Sequence, residues 1–194
     1  VLDHEGEIRG THDKSHLLPF GEYVPFRPLL RRLGVEKITS GQGDFQAGSG
    51  NRTIILPGLP PVGILVCYEA IFPGDVVSEV SRPDWLLNVT NDAWFGHTVG
   101  PYQHFTMSRV RAVEEGLPIV RVANTGISGV ADSYGRIVVQ SDLGETRVID
   151  VSLPAVLKEA TPYARWGDVG ILAVLIVLAV YTVAIKAPRI ASKT

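Results

Sequence analysis

Cysteine is the scarcest chemistry-bearing residue in this 194-residue chain: there is one, Cys67. No disulfide can therefore form within it. An excess of charge of one sign is also missing. With 18 basic against 20 acidic residues the formal net charge is −2, which gives no basis for a nucleic-acid partner held by bulk electrostatics. The five histidines, at 4, 12, 16, 97 and 104, show no helix-face spacing combined with Cys or carboxylate partners, so neither a metal nor another cofactor is expected. Internal repeats and low-complexity tracts are absent. So are a start methionine and a signal peptide, and the text opens inside a strand-like pattern at Val1. The expectation is a fragment of something longer, with a processed mature protein as the alternative.

What is present suffices for one domain with a sizeable core and a small appendage, since 45% of the residues are hydrophobic. Val1-Leu2, a turn through Gly6, and Ile8 read as a hairpin. Residues 29–33 suggest a short helix, and 39–51, rich in Gly and Ser, a loop. Short apolar runs at 53–56, 62–67, 85–90, 119–123, 129–131, 137–139 and 147–151 predict strands. Helices are predicted over 74–80 and 102–115, the latter stopped by Gly116 and Pro118. Partial alternation of strands and helices, with hairpins mixed in, points to an α/β domain with mixed sheets, arranged as a two-sheet sandwich with helices outside.

The closing run, Val169 to Ile185, carries no charge and no proline. Its roughly 17 residues would span about 25 Å, slightly short of a bilayer core. It is apolar on every face, which favours a transmembrane helix over a buried core helix. Trp166 and Tyr181 are candidate interfacial anchors. The tail beyond carries Lys186, Arg189 and Lys193 and no acid, which puts it in the cytoplasm and the globular part outside. The expected division is a catalytic domain over 1–165, a membrane helix over 166–187 and a basic tail over 188–194.

Cys67 ends the apolar run VGILV and precedes Tyr68, Glu69 and an expected helix start. A thiol at a strand-to-helix turn is exposed at the sheet edge and meets backbone N–H groups, which suits a nucleophile. A free cysteine is equally at home in a core. Lys14 lies in HDKSHLLPFGEYVPF, where a lysine is ordinarily just solvated. The stretch that follows is apolar and aromatic yet holds Glu22 among Phe20, Tyr23 and Phe26, so its carboxylate either sits in a poorly solvated site or points outward. Asn91 to Gly96 puts polar groups with Trp94 and Phe95 at a strand end, where α/β folds bind ligands. These aromatics line substrate or pack a core.

The segments DKSHLLPFGEYVPF, GILVCYEAIFP, NVTNDAWFG and RAVEEGLPIVRVANTGISGV with its turn DSYGR occur in this order. Together they resemble the apolipoprotein N-acyltransferases, a membrane branch of the nitrilase or carbon-nitrogen hydrolase superfamily, over nearly the whole chain. The resemblance implies a partial nitrilase-like α-β-β-α sandwich followed by a C-terminal transmembrane helix. It also implies a Glu-Lys-Cys triad in which Cys67 is the nucleophile and Lys14 the lysine, with the glutamate upstream of Val1. Glu22, Tyr68 and Glu69 then support the site, and Phe20, Tyr23, Trp94 and Phe95 line it. The implied reaction moves an acyl chain from a phospholipid, through a Cys67 thioester, to the amine of a diacylglyceryl-apolipoprotein at a bacterial inner membrane. Residues 1–194 alone are then expected to be inactive. A tethered amidase and an anchored binding domain are the competing readings.

Overall fold

The structure, a computed structural model, describes residues 1–34, 43–50, 53–78 and 80–186. A six-stranded sheet organises them in simple order: β1 (Thr53–Ile54), β2 (Val62–Val66), β3 (Trp85–Asn91), β4 (Ile119–Asn124), β5 (Gly129–Ala131) and β6 (Ile137–Gln140). The central β2, β3 and β4 run parallel, and β1, β5 and β6 add antiparallel edges. Parallel strands need crossovers, which force the chain to leave β2 and β3 at the same sheet edge. Cys67 and Asp92 each begin a short 3-10 helix there, at Cys67–Ile71 and Asp92–Phe95. The site is built along that edge.

One long helix, α2 (Gly100–Glu115), carries the chain from β3 back to β4. It has Pro in its first turn, where the missing N–H costs nothing, and ends at Gly116 with φ 66°. Its buried face is mostly polar: His104, Ser108, Arg111 and Glu115 recur at helical spacing beside Phe105 and Ala112. Val110 and Val113 are exposed instead. That inversion explains why the apolar periodicity of this segment is loose in the sequence. Leu65, Ala70, Val76, Leu86, Ala112, Leu117, Ile119 and Ala131 form the core between sheet and helix. On the opposite face Ile54, Val62 and Ile64 pack with Leu56, Val66, Trp85 and Leu87.

Several expectations need correction. The helix expected over 74–80 is not formed among the described residues. Pro73 and Gly74 turn the chain, Gly74 at φ 71°, and the helical turn falls earlier, directly after β2. The segment 147–151 is no strand. Arg147, Ile149, Val151 and Leu153 line a cavity of about 350 Å³ with Val120, Val122 and Val130 on the sheet face, so this segment packs through side chains. The opening hairpin is formed: Leu2 and Ile8 bridge antiparallel, with the Asp3 amide donating to the Glu7 carbonyl and the Arg9 amide to the Val1 carbonyl. α1 is Arg27–Arg32, starting two residues before its expected place. The expected loop at 39–51 lies partly outside the described residues. Of a two-sheet sandwich, the described residues form one sheet.

Thr161 caps α3 (Pro162–Trp166) through the amide of Ala164 at 3.0 Å, and α4 (Val169–Lys186) follows. Every side chain from Val169 to Ile185 is exposed. Among the described residues no helix is long and apolar enough to cross a membrane, so the expected transmembrane helix is not supported at this length. The expected basic tail, 188–194, lies outside the described residues.

Leu86 is fully buried between sheet and helix. Truncation to Ala is expected to cost about 3 kcal/mol, read as a lower urea midpoint with unchanged slope. A loss under about 1 kcal/mol would show that this core is not formed.

Candidate active site

Cys67 leaves β2 in a left-handed conformation, φ 52°. A non-glycine residue there costs roughly 1–2 kcal/mol, so surrounding groups must hold it. Two side chains from neighbouring elements reach its carbonyl oxygen. His104 Nε2, on α2, lies 3.2 Å away, and Asn88 Nδ2, on β3, donates at 3.5 Å. A carbonyl only accepts, so Nε2 carries a proton. The thiol itself is half-buried. It lines a cavity of about 300 Å³ with Leu18, Tyr68, Ile71, Trp94, Phe95 and Met107.

Glu69 is the second anchor. It has no exposed surface, yet it keeps its charge. The amide of Val66 donates to it at 2.7 Å, the Ser15 amide at 2.7 Å and the Ser15 hydroxyl at 2.9 Å, while His12 Nε2 lies 3.2 Å away. Burial pushes this carboxyl up, but the hydrogen bonds from His12, Val66 and Ser15 outweigh it and hold the value down, from 4.5 to about 2. One carboxylate thus ties the turn at Cys67 to the segment that carries Lys14.

Lys14 Nζ donates to both oxygens of Glu22 at 2.8 Å, and the Leu18 amide donates to Glu22 Oε2 at 2.6 Å. Among the described residues the ammonium has no hydrogen bond to Cys67. Glu22 is half-buried and engages that cation. Tyr68 lines the Cys67 cavity and also a larger one of about 670 Å³ with His16, Tyr23, Phe45 and Phe72. Trp94 and Phe95 are exposed at the first cavity and do not belong to the core. Phe20, exposed and at φ 61°, lines neither cavity.

Sequence reasoning missed the polar group beneath the thiol. Arg121, on β4, is almost fully buried. Its guanidinium donates to Asp92 Oδ2 at 2.6 Å, to Ser108 at 3.0 Å, to the Ile127 carbonyl at 3.3 Å and to Asn88 Oδ1. Asp92 Oδ1 in turn lies 2.9 Å from His104 Nδ1 and accepts from Thr90 at 3.1 Å. Burial raises the Asp92 carboxyl, but His104 and Arg121 hold it below the usual carboxylate range. Burial lowers Arg121, with Asp92 opposing. Asn88 and Arg121 are register partners on one face of the sheet. The available signal was an arginine at an inward position of a short strand, two residues from Ile119. Gly126 belongs to this group too, because a Cβ there would stand 2.5 Å from Asp92 Oδ2.

Residues 1–163 match the carbon-nitrogen hydrolase family. An apolipoprotein N-acyltransferase from Bradyrhizobium diazoefficiens is 50% identical over 180 residues, 93% of this chain and 33% of that protein. One from Rhodopseudomonas palustris is 46% identical over 186 residues, 96% of this chain and 34% of that protein. The chain spans about a third of the length of these curated relatives. A carbon-nitrogen hydrolase of solved structure, from Helicobacter pylori, shares the fold with a TM-score of 0.51 at 17% identity, over 75% of this chain and 52% of that one.

Glu69 generates a pH prediction. Its folded-state value lies below the unfolded one, so its charge stabilises the native state above pH 4.5, and that contribution is lost as pH falls from 4.5 to about 2. Glu69→Gln is expected to cost on the order of 2 kcal/mol at pH 7 and to flatten stability across that acid window. Urea unfolding at several pH values checks it. An unchanged pH profile in the variant would refute the clamp.

Proposed function

The chain belongs to the carbon-nitrogen hydrolase family, and on that premise we propose that it carries the nucleophile and cavity of an apolipoprotein N-acyltransferase. The supporting observation is the position of Cys67: at the C-terminal end of a parallel strand, half-buried, opening into a cavity walled by Leu18, Ile71, Trp94, Phe95 and Met107. Those walls suit a hydrocarbon chain better than a small polar amide. Identity near 50% to proteins named for this activity supports the same reading.

In the proposed reaction the Cys67 thiolate attacks the ester carbonyl of a phospholipid. The C–O bond breaks, the lysophospholipid alkoxide leaves with a proton, and the acyl group stays as a thioester. The α-amine of a diacylglyceryl-cysteine then attacks the thioester, the C–S bond breaks, and an amide forms while the thiol recovers its proton. Lys14 supplies positive charge to steady the thiolate and the oxyanion, with Glu22 holding its ammonium. A glutamate outside residues 1–194 shuttles the protons, so this chain alone transfers no acyl group. Tyr68 and Glu69 shape the turn, and Tyr23 lines the neighbouring cavity that Tyr68 shares.

α4 is proposed to contact lipid. Water does not favour an exposed, uniformly apolar helix of this kind, and both substrates carry acyl chains that stay in a bilayer. Placement at a bacterial cell membrane rests on this exposed apolar surface and on the similarity to apolipoprotein N-acyltransferases.

The test uses the intact protein, a phospholipid labelled in its acyl chain and a diacylglyceryl lipopeptide. Labelled amide is the expected product, and Cys67→Ser is expected to lower its rate at least about 10³-fold. Labelled free fatty acid in place of amide would instead mean that water resolves the acyl-enzyme. Wild-type turnover in the serine variant would return the chain to a binding role.

A further inference from the structure

The carbonyl of Cys67 is held as carefully as its side chain is presented. Its His104 donor is buried, comes from a different element, and is itself fixed at the other ring nitrogen by Asp92. Asp92 is fixed by Arg121, which also grips Asn88, the second donor to the same carbonyl. Two donors, from α2 and β3, therefore converge on one backbone oxygen, and the Asp92–Arg121 pair holds both. That oxygen belongs to a residue in the left-handed region, φ 52°, whose thiol lines the cavity; relaxing out of that costly conformation would re-aim its Cα–Cβ bond.

We propose that His104, oriented by Asp92 and Arg121, is a positioning residue that locks the Cys67 peptide plane and so aims the thiol into the acyl cavity. His104 also lines the cavity, but this role acts through the Cys67 carbonyl and need not exchange a proton. The inference rests on Cys67 being the nucleophile, and it adds that thiol presentation depends on one N–H donor delivered at Nε2. A histidine kept only to fill space and satisfy Asp92 would need the Nδ1 side alone.

Two amide side chains separate these roles in the intact protein. Glutamine can place its side-chain N–H near the Nε2 position and keep the bond to the Cys67 carbonyl. Asparagine reaches only the Nδ1 position and keeps the bond to Asp92. In acyl transfer, His104→Asn and His104→Ala are expected to lower kcat by about 10²-fold with KM little changed, while His104→Gln recovers to within about tenfold of wild type. Alkylation of Cys67 by iodoacetamide, followed by mass spectrometry and normalised to folded protein, needs no acyl donor. There the Asn and Ala variants are expected to react about tenfold more slowly than wild type, with Gln close to it. Equal alkylation in all four proteins, or an Asn variant that outperforms Gln in either measurement, overturns the proposal. Absence of acyl transfer in the wild type sinks the acyltransferase reading instead, and the alkylation order then decides the positioning role by itself.

Discussion

A guanidinium sealed between a sheet and a helix has to be neutralised on the spot, and Arg121 is neutralised by Asp92. Breaking such a pair from one side leaves a buried charge and costs roughly 3–5 kcal/mol. The pair therefore constrains everything it touches: the register of β3 on β4, the polar face of α2 and the tight loop at Gly126. Replacement by apolar residues would be easier for stability alone. What the buried charges add is direction, since their donors and acceptors are met at fixed positions and the chain of partners ends at the Cys67 carbonyl.

Glu69 meets the same turn from the other side. A carboxylate without exposed surface survives there because backbone amides and a hydroxyl surround it, and two of those donors come from Ser15. The Lys14 segment is distant in sequence, so this link ties a cation-bearing loop to the turn at the nucleophile. The segments of Lys14 and Cys67 are linked through Ser15 and Glu69, while the ammonium itself is engaged by Glu22. The turn at Cys67 is thus pinned by one polar group below and one carboxylate beside it.

Much of this was legible before the fold. The central strands, the long helix and the strand-end position of Cys67 follow from apolar runs and from the Gly116-Pro118 stop. Glu22 and the aromatic pair after β3 are singled out by their neighbours in the chain, and the structure places Glu22 on Lys14 and the pair at the Cys67 cavity. The failures share a cause. Helix α2 buries His104, Ser108, Arg111 and Glu115, so a reading that seeks apolar stripes loses its inward face. The segment 147–151 has strand composition because its alternate side chains fill an apolar cavity, with no partner strand alongside. Asp92 and Arg121 are 29 residues apart, and nothing local records that their charges cancel.

The central claim, that Cys67 receives the acyl group, has a direct readout in the mass of the protein itself. Incubation of the intact protein with a phospholipid and no amine acceptor is expected to add the mass of one acyl chain. Proteolysis should locate it on the peptide containing Cys67, and hydroxylamine should remove it as a thioester. An acyl group found on any other residue, or an unmodified Cys67 in protein that still transfers acyl chains, would contradict the assignment.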